Sequence, residues 1–136
     1  MSGKTELTLL LNEMEPILHS GEYVFVSSEH SLPLDFREII ASFKEEEGTT
    51  LILKKEKADA LHLDYDYVAS WITLNVHSSL EAVGLTAAVS NALAQEGISC
   101  NVVAAYYHDH IFVAQTEAKA AMQVLTTLMN TKRETP

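Results

Sequence analysis

The sequence predicts an α+β fold built from two similar halves, and three observations support this prediction. Along the second half, segments that alternate apolar and polar residues are separated by segments with helical spacing. The segments follow the order β-α-β-β-α in the second half and α-β-β-α-β in the first. The composition, with 47% hydrophobic and 21% charged residues, is typical of globular proteins. We therefore expect antiparallel sheets with helices on one face.

The second half has the clearer pattern. Residues 69–76 alternate apolar and polar side chains, which indicates a strand, and residues 83–96 carry one apolar stripe at helical spacing that ends at Gly97. Residues 99–106 and 111–115 are predicted to form a hairpin. A last helix is expected over residues 117–129, with Thr116 as its N-cap and Lys132 beyond its end.

The first half predicts a short helix at residues 7–11 and strands at residues 17–19 and 23–27, separated by a tight turn at Ser20 and Gly21. A helix is expected over residues 35–46, because its four large apolar side chains fall on one helical face. They are Phe36, Ile39, Ile40 and Phe43. A strand at residues 49–54 and a short helix at 56–61 complete this half.

Charge divides the chain in the same place. Residues 1–66 hold 14 acidic and 6 basic side chains, whereas residues 67–131 hold 4 acidic side chains and 1 basic one. The sequence therefore predicts a first domain at 1–66 (αββαβ), a second at 67–131 (βαββα), and a tail at 132–136. Each half lacks one strand of a βαββαβ unit, and unpaired sheet edges favour association, so we expect a homodimer.

The formal net charge of −10 argues against nucleic acid as a partner, because no basic surface is available to release counterions from phosphates. No apolar run approaches the 20 residues or so that span a membrane. The N-terminal segment lacks the pattern of a signal peptide, and the lone Cys100 cannot form an internal disulfide. These features predict a cytoplasmic protein that does not bind membranes.

The βαββαβ order is that of the ferredoxin-like unit. Within it, residues 81–106 resemble the signature of ACT domains: Glu81, Gly84 and Leu85 match the phrase that opens the first helix. Gly97, Ile98, Asn101 and Val102 match the phrase at the second strand, whereas Val83 stands where many ACT domains have proline. The chain looks like a small bacterial protein of tandem ACT-like domains, similar to the ACT pairs of eukaryotic cytosolic arginine sensors.

This resemblance implies a regulatory, non-enzymatic module that binds a small metabolite, usually an amino acid, and signals its occupancy to a separate protein partner. The residues offer a physical reason as well. Gly84 lets a ligand approach the backbone amides that begin the helix, and these amides suit a carboxylate. Asp109, Glu81 or an acid of the first half could hold the ammonium. If the ligand is cationic, as arginine is, we expect the acids for its side chain among residues 1–66.

Several site residues also have structural interpretations. Ser78 and Glu81 fit a capping box, although they could face a ligand as well. Asn101 lies within an apolar strand, where it is either a solvent-facing residue or a ligand contact. The expected ligand-binding set is therefore Ser78, Glu81, Val83, Gly84, Leu85, Asn101 and Asp109.

Histidines raise the question of a metal or an enzyme. His77 and the His108-Asp109-His110 segment could supply ligands, but a polar turn between two strands is the favoured interpretation of that segment, ahead of a ligand contact and of a metal site, because its spacing supports only a pair of ligands. Cys100 has no activating base placed by the sequence. We therefore expect no metal, no cofactor and no catalytic residues, and the main alternative to a ligand-binding module is an assembly subunit without a ligand.

Overall fold

The computed structural model describes residues 3–76 and 84–134. Its helices and strands, in chain order, are α1 (Gly3–Glu13), β1 (Glu15–Leu18), β2 (Tyr23–Ser28), β3 (Ile39–Lys44), β4 (Thr49–Lys54), α2 (Lys55–Ala60), β5 (Val68–Asn75), α3 (Leu85–Gln95), β6 (Cys100–Ala104), β7 (Asp109–Ala114) and α4 (Ala118–Glu134). No helix among the described residues is long and apolar enough to cross a membrane.

The chain forms two compact units, and the smaller one interrupts the sequence of the larger one. The larger unit combines residues 1–19 with residues 71–136, and the smaller unit comprises residues 20–70. Strand β5 contributes its first three residues to the smaller unit and the rest to the larger one. The predicted division into residues 1–66 and 67–131 concerns the sequence repeats and stays a prediction.

The larger unit contains the predicted β-α-β-β-α order, formed by β5, α3, β6, β7 and α4. The expectation that this half lacks its last strand is corrected by β1, which pairs antiparallel with β5. The strand order within this unit is therefore β1-β5-β7-β6. The N-terminal segment thus supplies the strand that completes the βαββαβ arrangement.

Alternation along the strands builds the core of the larger unit. Ile72 and Leu74 of β5, with Ile111 and Val113 of β7, have no exposed surface and pack against the helices. The helices bury the matching apolar stripes, formed by Leu11, Leu85, Val89, Leu93, Ala121 and Leu125. The opposite face of the sheet carries Trp71, Thr73, His110 and the buried Phe112, which stacks with Trp71.

The smaller unit has the strand order β3-β4-β2-β5. Its strands β2 and β4 pair over six residues each, and the first residues of β5 pair with β2. The core consists of Val24, Val26, Leu51, Leu53 and Ala58. This unit is also a ferredoxin-like arrangement, in which a single 3₁₀ turn at Phe36–Glu38 stands where the first helix is expected.

The helix predicted over residues 35–46 is wrong. A capping box closes the 3₁₀ turn after Asp35, and the chain then enters strand β3. Phe36 and Phe43 were expected on a buried helical face. They are 89% and 72% exposed, so the predicted apolar face is not buried. The β-branched Ile39 and Ile40 favour a strand, and pairing with β4 outweighs local helical spacing.

The last helix starts at Ala118 and continues to Glu134, so Lys132 lies inside α4 rather than beyond its end. Thr116 belongs to a 3₁₀ turn at Gln115–Glu117 and is not the N-cap of α4. The N-terminal helix is longer than expected, covering Gly3–Glu13. The other predicted strands and helices are confirmed with shifts of a few residues at their ends.

Candidate functional site

Helix α3 begins directly after Gly84, as the sequence predicts. Gly84 is the N-cap residue and has a φ of 100°, a left-handed conformation that glycine adopts without strain. The first backbone bond of the helix runs from the N–H of Ala88 to the carbonyl oxygen of Gly84, at 2.9 Å. The amides of Leu85 and Thr86 precede this bond and have no acceptor within the helix itself.

Two hydrophobic side chains limit how a ligand could reach this helix start. Leu85 is 98% buried and belongs to the core, so its side chain faces away from solvent. A Cβ placed on Gly84 would lie 3.3 Å from Cδ2 of Leu7 in α1. The space beside the glycine is therefore filled by α1, and a ligand would have to approach the amides from another side.

Asn101 and Asp109 lie on the β6–β7 hairpin but face opposite sides of it. Asn101 pairs with Phe112, whereas Asp109 pairs with Ala104. Positions 101 and 104 differ by an odd number, so their side chains, and those of their partners, project from opposite faces of the hairpin. A small ligand within this unit can therefore contact one of these two residues but not both.

Asp109 is a half-buried acid of this unit. Burial raises the pKa of its carboxyl above the ordinary range. Among residues 7–76 and 84–130, whose side chains the structure describes, no ion pair offsets that cost. A bound ammonium group would stabilise this carboxylate in its charged form.

The hairpin turn differs from the predicted one. The turn is centred on Tyr106 and Tyr107, where the N–H of Ala105 donates to the carbonyl oxygen of His108 at 3.0 Å. Asp109 and His110 belong to strand β7 rather than to the turn. His108 and His110 consequently lie on one side, with their ring centroids 6.5 Å apart.

Around Trp71 lies a polar cluster that sequence reasoning did not assemble, and we name its four residues, His19, Trp71, Thr73 and His110, the Trp71 cluster. The indole N–H of Trp71 donates to Nδ1 of His110 at 3.0 Å. The hydroxyl of Thr73 lies 2.9 Å from the same nitrogen and 2.6 Å from Nε2 of His19. The His19 ring stacks on Trp71 with centroids 3.7 Å apart.

The Trp71 cluster limits how His110 could bind a metal ion. The indole N–H can only donate, so Nδ1 of His110 must accept and cannot also coordinate a metal. Among the side chains that the structure describes, in residues 7–76 and 84–130, no group of three or more candidate ligands is arranged to hold a metal ion. The alternation of residues 69–76 could have placed Trp71 and Thr73 on one face, but nothing local in the sequence connects them to His19.

Four residues discussed from the sequence, His77, Ser78, Glu81 and Val83, lie outside the described residues. The capping box proposed for Ser78 and Glu81 therefore stays a prediction. Gly84, Leu85, Asn101 and Asp109 are placed as described above, and the role of each in ligand binding also stays a prediction.

Comparison with known proteins gives a consistent family assignment. An ACT-domain profile matches residues 2–70, and a second ACT-domain profile matches residues 67–127. Among curated proteins, none matches the chain.

Solved structures show the same fold. A Vibrio cholerae protein of unknown function, described as a possible transport protein, is 49% identical over 94% of this chain and 99% of its own, with a TM-score of 0.83. An Agrobacterium tumefaciens protein is 13% identical over 86% of this chain and 90% of its own, with a TM-score of 0.68. The ligand-free regulatory subunit of aspartate kinase from Thermus thermophilus is 9% identical over 85% of this chain and 98% of its own, with a TM-score of 0.59.

Identities as low as the last two show a shared fold alone. The two profile matches, in contrast, are made by the sequence itself and together cover residues 2–127. The chain belongs to the ACT-domain family and consists of two ACT domains in tandem.

Proposed function

We propose that this protein is a non-enzymatic regulatory module that binds a free amino acid at the start of α3. The observation that carries the proposal is that Gly84, matched within an ACT-domain profile, leaves backbone amides at the helix start without a side-chain cap from the N-cap residue. Such amides favour a carboxylate, because the N-terminal end of a helix carries partial positive charge.

Asp109 is our candidate for the ammonium group of the ligand. Its half-buried carboxyl has a raised pKa and gains most from a cationic partner. Asn101 lies on the other face of the hairpin, so it would contact the ligand only if a second chain closes the site from that side. Ser78, Glu81 and Val83 complete the proposed set on sequence grounds.

A homodimer formed through the edge of β6 would provide such a second chain. Among the described residues β6 pairs with β7 alone, without a register shift. The strand Cys100–Ala104 contains no charged residue and no proline, which are the usual protections of a free edge. Light scattering should show a dimer for wild type and a monomer for Val102→Lys. Gln95→Lys, with the same charge change on α3, should remain dimeric, whereas a monomeric wild type contradicts this part of the proposal.

We also propose that the protein acts in the cytoplasm on a separate protein partner and does not bind nucleic acid or membranes. The net charge of −10 and the single cysteine support this setting. Catalysis is not proposed: the thiol of Cys100 donates to the hydroxyl of Ser90, at 3.8 Å, and not to a base, and the hydroxyl between His19 and His110 belongs to Thr73, which is only 7% exposed.

A second candidate function is an assembly subunit that has lost its ligand. The position of Leu7 favours it, because this side chain occupies the space beside Gly84. A thermal-shift screen against the common free amino acids distinguishes the two. A ligand that binds only the native state raises the melting temperature by mass action, so the regulatory module predicts stabilisation by at least one amino acid.

Two matched variants test where the ligand binds. Asp109→Asn should abolish the shift, whereas Glu96→Gln, the same charge change at an exposed residue outside residues 1–66, should keep it. If no amino acid stabilises the wild-type protein at millimolar concentration, the assembly subunit is the better description. If neutral amino acids stabilise the protein while arginine and lysine do not, the proposal of a cationic ligand held by acids of residues 1–66 fails.

A further inference from the structure

The Trp71 cluster connects three strands of the larger unit. His19 directly follows β1, Trp71 and Thr73 belong to β5, and His110 belongs to β7. The N–H of His19 also donates to the carbonyl oxygen of Trp71 at 2.9 Å, which continues the β1–β5 ladder by one residue. The cluster therefore fastens the end of the strand that completes this sheet.

The hydrogen bonds fix the protonation state of His110. Because Trp71 donates to Nδ1, that nitrogen carries no proton, and the neutral ring holds its proton on Nε2. Thr73 can donate its hydroxyl to the same nitrogen while it accepts from Nε2 of His19. A proton on Nδ1 of His110 would point toward the indole N–H of Trp71. Two donors would then face each other, and Trp71 would lose this acceptor. Thr73 can reverse its hydroxyl, but the indole cannot.

We propose that the Trp71 cluster is a proton-sensitive fastening of β1, which holds the N-terminal strand at neutral pH and loosens it when His110 takes up a proton. The titratable groups around His110 are His19, after β1, and His108, before β7, and the contacts from β5 come from the neutral Trp71 and Thr73. A second imidazole, that of His19, stacks on one face of Trp71, so acid acts both at the N–H edge and on that face of the indole.

The direction of the effect follows from linkage. Burial, with smaller contributions from His108 and His19, lowers the pKa of His110, and burial lowers the pKa of His19. Above the unfolded-state value of about 6.5 both rings are neutral in either state. As the pH falls below 6.5, the unfolded or released form binds protons first, so the fastened form loses stability. The fastening is therefore strongest above this value and weakens toward pH 5.

Trp71 is the single tryptophan of the chain, so its fluorescence reports on the cluster directly. Between pH 8 and pH 5 we expect a fluorescence transition with a midpoint below about 6.5. Over the same range the protection factor of the His19 amide should fall by about fivefold, the change that corresponds to the loss of one hydrogen bond. Protection factors remove the intrinsic pH dependence of exchange.

His110→Asn is the decisive variant, because Asn Oδ1 can accept from Trp71 at the position of Nδ1 but does not titrate. It should reduce both transitions to the contribution of His19, whereas His30→Asn, at an exposed histidine of the smaller unit, should leave them as in wild type. Independently of any variant, NMR of the wild-type imidazoles at pH 8 should show His110 with a proton on Nε2 and none on Nδ1. Constant fluorescence and protection from pH 8 to pH 5, a His110→Asn protein that titrates like wild type, or a proton on Nδ1 at pH 8 would each overturn the proposal.

Discussion

Replacing Gly48 by alanine tests the hairpin that stands where the sequence predicts a helix. Gly48 closes the turn between β3 and β4, in which the N–H of Glu45 donates to the Gly48 carbonyl oxygen at 3.0 Å. A Cβ on Gly48 would lie 2.9 Å from the backbone oxygen of Ser28 in β2. Real Cβ atoms do not approach so closely, and a backbone oxygen cannot rotate away as a side chain can.

The expected loss of stability has two parts. The φ of 152° at Gly48 disfavours a side chain, which costs about 1–2 kcal/mol at positive φ. The contact with Ser28 adds about 1–3 kcal/mol, the usual range for forcing atoms into a packed site. We therefore expect Gly48→Ala to lower the free energy of unfolding by about 2–5 kcal/mol.

Gly21→Ala is the matched control, because Gly21 also lies in a turn of the smaller unit and has a positive φ, of 95°. Its added Cβ would meet only the Tyr23 hydroxyl, at 3.9 Å, so the cost should be the backbone part alone, about 1–2 kcal/mol. Urea unfolding followed by far-UV circular dichroism measures both. If Gly48→Ala is no more destabilising than Gly21→Ala, the packing of this hairpin against β2 is wrong.

Three further predictions concern the larger unit. Trp71→Phe should lower the free energy of unfolding at pH 8 by about 1–3 kcal/mol, because Nδ1 of His110 loses a buried donor, and chemical denaturation measures this loss. Leu7→Ala should cost about 1–3 kcal/mol by the same assay, because it removes the side chain packed beside the start of α3, whereas Leu9→Ala, at a residue 48% exposed on α1, should cost less than about 0.5 kcal/mol. Because burial raises the pKa of Asp109, stability should fall as the pH rises from about 4 through the native pKa, so Asp109→Asn should be more stable than wild type at pH 7 in a melting experiment. A less stable Asp109→Asn would show that the carboxylate has a favourable partner.

The second half was predictable because local signals there agree with the tertiary structure. The alternation of residues 69–76 places Ile72 and Leu74 in the core, and the apolar stripe of α3 ends where Gly97 follows it. The helix predicted at residues 35–46 failed for the opposite reason. The spacing of its apolar residues fits a helix as well as a strand, and only the pairing of β3 with β4 decides which one forms.

The features that could not be predicted depend on contacts between residues that are far apart in the sequence. The N-terminal strand β1 completes a sheet whose other strands begin 50 residues later in the chain, and no local pattern specifies that pairing. His19 and Thr73 are 54 positions apart in the sequence, so residue spacing could not predict the Trp71 cluster. In the candidate site, Gly84 could be located from the helix start, but the Leu7 side chain beside it depends on how α1 packs.

The most direct test of the proposed function is calorimetric titration of the wild-type protein with the amino acid that gives the largest thermal shift. We predict saturable binding that weakens by about tenfold or more in Asp109→Asn, as expected when a hydrogen bond to a charged group is lost. Binding should be unchanged in Glu96→Gln. Absence of saturable heat with every common amino acid, or equal affinity in Asp109→Asn and wild type, would contradict a ligand site at the start of α3.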